Sequence, residues 1–128
     1  MKLVRAEPET AALRKFLKDH LLRVTSAVSA VEVRRAVLRE GSAEDRKKAG
    51  EVLGGVIVIR LTNEILERAS ALEPPQLRSL DAIQLATALS LVAEAAVELS
   101  AFVVYDRRLG DAARAAGVRV VSPGSASS

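Results

Sequence analysis

Two aspartates stand at the boundaries of predicted secondary-structure elements and are the first candidates for chemistry. Asp81 lies in the segment Ser79-Leu-Asp-Ala-Ile-Gln-Leu-Ala-Thr-Ala-Leu89, and Asp106 lies in Val103-Val-Tyr-Asp-Arg-Arg-Leu109. In a parallel α/β fold, such boundaries can meet at one rim of the sheet, where ligands usually bind. Paired carboxylates at that rim would hold a divalent cation, and their oxygen atoms suit Mg²⁺ or Mn²⁺.

Glu32 is the third acidic candidate. It lies inside a predicted helix between Val31 and Val33, and because its neighbours back to Ala27 are small or apolar, we expect a partly buried side chain. An i,i+3 ion pair with Arg35 would contribute only about 0.2–0.5 kcal/mol, which is little against the cost of desolvating a carboxylate. Glu32 is therefore expected to have a closer partner or to bind a metal.

Each aspartate also has a purely structural explanation. Asp81 falls in the first turn of its predicted helix, where exposed backbone N–H groups and the helix dipole stabilise a carboxylate by about 0.3–1 kcal/mol. Asp106 can cap the helix that follows it, which contributes about 1 kcal/mol. Taken singly, each aspartate is explained as well by a helix end as by a metal. Three acids on three different elements favour the metal site.

Other catalytic chemistry is less well supported. His20 is the only histidine and falls at a predicted helix end. A stabilising charge at the helix C-terminus explains it better than catalysis does. Gly54-Gly55 lacks the spacing and the following lysine of a P-loop. Ser29 and Ser79 have no histidine nearby in sequence, so caps or helix faces explain them. The chain has no cysteine, which excludes disulfides, thiolate nucleophiles and zinc sites built on thiolates.

Helices and strands alternate in the predicted order of elements. Apolar periodicity predicts helices over residues 7–20, 27–39, 43–53, 63–71, 80–98 and 107–116, and strands over 21–25, 56–61, 101–105 and 118–121. Ser26, Thr62 and Ser79 are predicted helix caps, and Gly41 is predicted to end the second helix. This alternation predicts a mainly parallel sheet covered by helices on both faces.

Length and composition indicate one domain. The chain has 128 residues, 49% of them hydrophobic, which is enough for one core. We expect the domain to span residues 1–121 and residues 122–128 to form a flexible tail. The start lacks the apolar run of a signal peptide, and the most apolar stretch, residues 82–97, is interrupted by Gln84 and Glu94. A cytoplasmic protein with no membrane partner is the expectation.

The charge weakly favours an anionic partner such as nucleic acid. The formal net charge is +3 and the pI is about 9.7. Basic residues form three clusters, as a phosphate backbone requires, although solvated helix faces explain each cluster equally well. The clusters are Arg34, Arg35 and Arg39; Arg46, Lys47 and Lys48; and Arg107 and Arg108. Aromatic residues make up only 2% of the chain, so nucleic-acid contacts are expected mainly at phosphate rather than by base stacking.

Four segments together resemble one known family. They are Leu3-Val-Arg-Ala-Glu-Pro-Glu-Thr10, Ser29-Ala-Val-Glu-Val-Arg-Arg-Ala36, Leu80-Asp-Ala-Ile-Gln-Leu-Ala-Thr-Ala88 and Val103-Val-Tyr-Asp-Arg-Arg-Leu109. Over nearly its whole length the chain resembles the PIN-domain ribonucleases, specifically the VapC-like toxins of bacterial toxin–antitoxin pairs. The resemblance implies a three-layer α/β/α fold, hydrolysis of RNA phosphodiester bonds with Mg²⁺ or Mn²⁺, a cognate antitoxin protein and a homodimer.

The resemblance also implies roles for particular residues. Glu32, Asp81 and Asp106 match the second, third and fourth of the family's four acids, which bind the metal. Independently of the resemblance, the proximity of Arg35, Arg107 and Arg108 to these acids in the sequence gives the hypothesis that they position phosphate. Gln84 stands where many relatives have histidine, a departure that we expect to matter little.

One part of the family pattern is absent from this sequence. Members usually begin with a strand that ends in an aspartate, just before the segment that matches Lys2-Leu3-Val4, and Glu7 and Glu9 lie on the wrong side of that motif to replace it. We therefore expect impaired RNA cleavage by the chain as it stands. The alternative is a non-catalytic PIN-like module that binds an antitoxin or itself through the helices at 11–17 and 27–38. A receiver-like or flavodoxin-like signalling domain is less well supported, since its acids should cluster after the first strand.

Overall fold

Six helices and four short strands alternate along the part of the chain that the structure, a computed structural model, describes: residues 9–20, 23–94, 99 and 101–124. The elements are α1 (Thr10–Lys18), β1 (Val24–Ser26), α2 (Ala27–Glu40), α3 (Ala43–Gly54), β2 (Ile57–Ile59), α4 (Asn63–Ser70), α5 (Ser79–Glu94), β3 (Phe102–Val103), α6 (Arg107–Ala115) and β4 (Val120–Val121). This order confirms the predicted alternation. Residues 7–8, 21–22 and 95–98, which belong to predicted elements, lie outside the described ranges.

Polar side chains cap several helices, and two of these caps were predicted from the sequence. The Ser26 hydroxyl accepts a hydrogen bond from the Ser29 N–H at 3.1 Å, and the Thr62 hydroxyl accepts one from the Ile65 N–H at 3.2 Å. Ser79, predicted to cap α5, is instead the first residue of that helix. Gly41 ends α2 as predicted. Its backbone N–H donates to the Val37 carbonyl oxygen, with an N···O distance of 2.7 Å. A Cβ atom at position 41 would collide with that same carbonyl oxygen.

The strands are parallel, as predicted, and shorter than predicted. β1 pairs with β2, with Val24 opposite Ile57, and β3 pairs with β4, with Phe102 opposite Val120. Within the described residues these pairs form two separate two-stranded sheets, and no strand there joins them. Pairing ends after two or three residues, whereas the β-branched runs in the sequence continue. The first strand that the resemblance implies stays a prediction.

Helix α5 packs against both parts of the fold, the part that contains β1 and β2 and the part that contains β3 and β4. Leu85 of α5 is fully buried. It packs with Phe102 of β3, with Val104 just after β3, and with Leu109 and Ala113 of α6. The same helix contacts β1, α2 and α4. Helices and parallel strands are thus arranged in a three-layer α/β/α fold. None of the described helices is long and apolar enough to cross a membrane.

The C-terminal strand is fixed by hydrogen bonds that extend beyond the predicted end of the domain. Gly117, with a φ of 87°, makes the turn that leads into β4. After β4, the buried Ser122 hydroxyl donates to the Val104 carbonyl, and the Tyr105 hydroxyl donates to the Pro123 carbonyl at 2.7 Å. Hydrogen bonds therefore hold residues 122 and 123 against the segment that follows β3, and the domain bounds 1–121 stay a prediction. The flexible tail stays a prediction, and residues 125–128 lie outside the described part.

Candidate metal centre

Asp106 is the N-cap of α6. Its backbone is extended, with φ −78° and ψ 126°, and its Oδ1 accepts a hydrogen bond from the Leu109 N–H at 3.0 Å. The capping interpretation is thus confirmed. Capping uses only one of the two carboxylate oxygens. The other, Oδ2, lies 3.5 Å from Nη2 of Arg78.

Asp81 lies in the first turn of α5, as predicted. Its side chain is 22% exposed, so it is largely covered by protein while keeping one edge open to solvent. Its Oδ2 lies 3.1 Å from Nε of Arg78, in an i,i+3 ion pair. Because Arg78 contacts Asp81 and Asp106 at once, the structure brings these two predicted site residues to the same guanidinium group.

Glu32 is placed differently from the sequence expectation. Its side chain is exposed on α2, so the prediction of partial burial was wrong. The adjacent Val31 is also exposed, whereas Val37 is the buried residue of this helix. Within the described ranges, no three acidic, histidine or cysteine side chains lie close enough together to hold a metal. The structure therefore joins Asp81 with Asp106 and leaves Glu32 outside that pair.

A hydrogen-bond network ties α2 to α5 near these acids. The hydroxyls of Ser26 and Ser29 both donate to Oε1 of Gln84, at 2.8 and 2.5 Å. Ser29 is three residues before Glu32 on α2, and Gln84 is three residues after Asp81 on α5. Residues three apart are neighbours on a helix surface, so the network fixes the two helices within one turn of each acid.

Sequence reasoning missed the roles of Arg78 and Gln84. The only local signal for Arg78 is its i,i+3 spacing to Asp81, which is common on helix surfaces. Gln84 was expected to matter little, yet it accepts two hydrogen bonds from residues 55 and 58 positions away. A polar residue within the apolar stretch at 82–97 is the signal that could have identified it, because buried polar groups need partners.

Similarity to known proteins identifies the family of this chain. A family model described as the PIN domain matches residues 1–116. The chain belongs to the PIN-domain family. Its relatives include proteins named ribonuclease VapC46, VapC47 and VapC35.

These three relatives of the chain all come from Mycobacterium tuberculosis. VapC46 of strain H37Rv is 41% identical over 124 residues, which is 96% of this chain and 91% of the relative. VapC47 of strain CDC 1551 is 39% identical over 127 residues, covering 96% and 90%. VapC35, in both strains, is 41% identical over 128 residues, covering 98% and 93%. No solved structure matches the chain at a significant level.

The carboxylate pair of this PIN domain fits a hard divalent cation. Mg²⁺ is usually bound through one or two carboxylates, with water and substrate phosphate completing its ligands. Asp81 and Asp106 each direct an oxygen toward the same positive charge, and both are partly open to solvent. Each carboxylate therefore has one oxygen that already faces a positive charge.

Basic residues are neighbours in the chain of two of the candidate acids, Asp106 and Glu32. Arg107 and Arg108 follow Asp106 directly in the first turn of α6, and both are exposed. Arg35 is exposed on α2, one turn after Glu32. Positive charge is thus available on two of the three elements that carry the candidate acids.

The single histidine serves the fold. Its Nδ1 lies 2.9 Å from the Phe16 carbonyl oxygen, and its ring stacks on the Phe16 ring with centroids 4.2 Å apart. His20 therefore packs at the C-terminal end of α1, which agrees with its predicted helix-end position.

Proposed function

We propose that this PIN domain is a metal-dependent endoribonuclease toxin of a toxin–antitoxin pair, which hydrolyses RNA phosphodiester bonds. The observation that carries the proposal is the pair of carboxylates, Asp81 and Asp106, at the starts of two helices, where both contact the Arg78 guanidinium. The names of the relatives, each a ribonuclease VapC, support RNA as the substrate.

Asp81, Asp106 and Glu32 would hold Mg²⁺ or Mn²⁺ and form the catalytic set. When bound, the metal would supply an activated water and stabilise charge on the leaving oxygen. Asp106 is oriented before any ligand binds, because the Leu109 N–H holds one of its oxygens. Glu32 lies outside the carboxylate pair and would have to move toward the metal from α2, the helix that the Gln84 network fixes against α5.

Arg35, Arg107 and Arg108 would bind the RNA backbone. All three side chains are exposed, and each is close in sequence to a candidate acid. A phosphodiester group lying between these arginines and the carboxylate pair would contact positive charge on its side that faces away from the acids. Such contacts position the strand without reading its sequence.

The contribution of a fourth acid can be tested directly. The resemblance places a fourth acid at the end of a strand that precedes Lys2. A version extended at the N-terminus by such a strand ending in aspartate should cleave RNA faster in the presence of Mg²⁺. Equal rates for the two versions would reject the need for the fourth acid.

The partners and the location follow from the same proposal. A cognate antitoxin and a second copy of the chain are the protein partners that the family implies, and the cytoplasm is the expected location. Val31 and Leu38 are each 57% exposed and are seven residues apart on α2, so they lie on one face. This exposed apolar face favours protein contact, and it also suits the alternative of a non-catalytic binding module.

Replacing Asp81 by asparagine tests the proposal. Calorimetry with Mn²⁺ and cleavage of a labelled RNA are measured for wild type, Asp81→Asn and Asp111→Asn, where Asp111 is an exposed aspartate further along α6. We expect Asp81→Asn to lose both metal binding and cleavage while its circular dichroism stays unchanged, and Asp111→Asn to match wild type.

Two results would count against a metal-dependent enzyme. Cleavage that continues in EDTA would reject metal dependence. Absence of Mn²⁺ binding by the wild type, together with tight binding of an antitoxin peptide, would favour the non-catalytic module.

A further inference from the structure

Arg78 contacts the two carboxylates in an unusual way. Arginine commonly gives two parallel N–H groups to a single carboxylate. Here Nε goes to Asp81 at 3.1 Å and Nη2 goes to Asp106 at 3.5 Å, so one guanidinium is divided between two acids on different helices. The side chain is 73% exposed, and it therefore reaches the acids from the solvent side, where a metal or a substrate would also arrive.

The oxygen atoms that Arg78 uses are those that a metal would need. Oδ1 of Asp106 is engaged by the Leu109 N–H, which leaves Oδ2 as its open oxygen, and Oδ2 is the atom that faces Arg78. Asp81 likewise offers Oδ2 to Arg78. A guanidinium is always protonated in a protein, so its charge can leave the site only if the side chain moves.

We propose that Arg78 is an internal counter-cation that competes with the divalent metal for the Asp81 and Asp106 carboxylates. In the metal-free protein Arg78 offsets the repulsion between the two acids and holds them toward one point. Metal binding displaces it, and its exposure leaves the displaced side chain free to turn into solvent. The inference rests on the proposed function, because it takes the carboxylate pair as the metal site.

The competition has a defined sign. Removing Arg78 frees both oxygens and removes a positive charge beside the metal, so the variant should bind the metal more tightly than wild type. Ion pairs at this exposure are individually weak, and two of them correspond to about a threefold to tenfold change in affinity. In the absence of metal the same variant should melt at a lower temperature, since two carboxylates then face each other without a counter-charge.

Arg78→Gln is compared with Arg114→Ala as a control. Arg114 is also an exposed arginine in an i,i+3 pair, with Asp111 at 3.4 Å, but that pair is on the later turns of α6. Arg78→Met serves as a second variant that keeps the aliphatic stem. Mn²⁺ affinity is measured by calorimetry, and thermal unfolding is followed with and without Mn²⁺.

The expected result is a Kd for Mn²⁺ that falls about threefold to tenfold in both Arg78 variants, together with a larger rise in Tm on adding Mn²⁺ than wild type shows. Arg114→Ala should keep the wild-type Kd. Wild-type affinity in both Arg78 variants, or weaker binding, would overturn the competition while leaving the metal site in place. No Mn²⁺ binding by any of the proteins would overturn the metal site itself and the competition with it.

Discussion

Replacing Gln84 by methionine removes the acceptor that joins α2 to α5. Methionine matches glutamine in length and in helix propensity, so the change is confined to the side-chain amide. Oε1 of Gln84 accepts two hydrogen bonds, from Ser26 at 2.8 Å and Ser29 at 2.5 Å. Each such bond contributes about 0.5–1.5 kcal/mol net. After the change, the Ser26 hydroxyl still has the Ser29 hydroxyl, 3.2 Å away, as an acceptor.

The expected loss in the free energy of unfolding is about 1–3 kcal/mol for Gln84→Met. Ser29→Ala removes one of the two bonds but improves helix propensity by about 0.5 kcal/mol, so its net loss should be about 0–1 kcal/mol. Urea unfolding followed by circular dichroism gives both values. The double variant should lose less than the sum, with a coupling energy of about 0.5–1.5 kcal/mol, because the shared bond can be removed only once.

Ser70→Ala provides the control for this cycle. Ser70 is an exposed helix serine whose hydroxyl donates to the Leu66 carbonyl of its own helix, at 2.8 Å. Combined with Gln84→Met it should be additive within about 0.5 kcal/mol. Additivity of Ser29→Ala with Gln84→Met to the same degree would refute the network as a link between α2 and α5.

Three other changes test the site and the core. Asp106→Asn should keep the cap and unfold within about 0.5 kcal/mol of wild type, whereas Asp106→Ala should lose about 1 kcal/mol, as urea unfolding would show; equal stability would contradict the cap. Leu85→Ala should cost about 2–5 kcal/mol because the side chain is fully buried, while Val92→Ala, on an exposed position of the same helix, should change stability by less than about 0.5 kcal/mol in the same assay. Replacing both Arg107 and Arg108 by alanine should weaken RNA binding and reduce the slope of log K against log salt by about 1.4, measured by fluorescence anisotropy; an unchanged slope would exclude phosphate contacts.

Local chemistry made much of the fold predictable. Ser26 and Thr62 cap helices because a short hydroxyl side chain just before a helix can accept a hydrogen bond from an unpaired N–H of its first turn. The strands were predicted too long, since β-branched residues mark where a strand is possible and the partner strand decides where pairing stops. Ile57, for example, begins a strand of three residues although the β-capable run covers six.

The site was predictable only in part, for a different reason. Asp81 and Asp106 follow from element boundaries, which are local. The exposure of Glu32 depends on which face of α2 is covered, and that is set by Val37 packing on Ala49 of α3. The contacts of Gln84 with Ser29 and of Arg78 with Asp106 join residues 55 and 28 positions apart, so periodicity carries no information about them.

The structural and the functional explanations of the two aspartates describe the same arrangement. A helix start needs acceptors for its unpaired N–H groups, and a carboxylate has two oxygens, so a capping aspartate still has one oxygen to offer. Asp106 shows this division directly, with Oδ1 on the Leu109 N–H and Oδ2 toward Arg78. The cap also fixes the direction of the open oxygen, which a solvated side chain would not keep. Where two helices begin side by side, as α5 and α6 do here, the residues that stabilise them can therefore bind one cation between them.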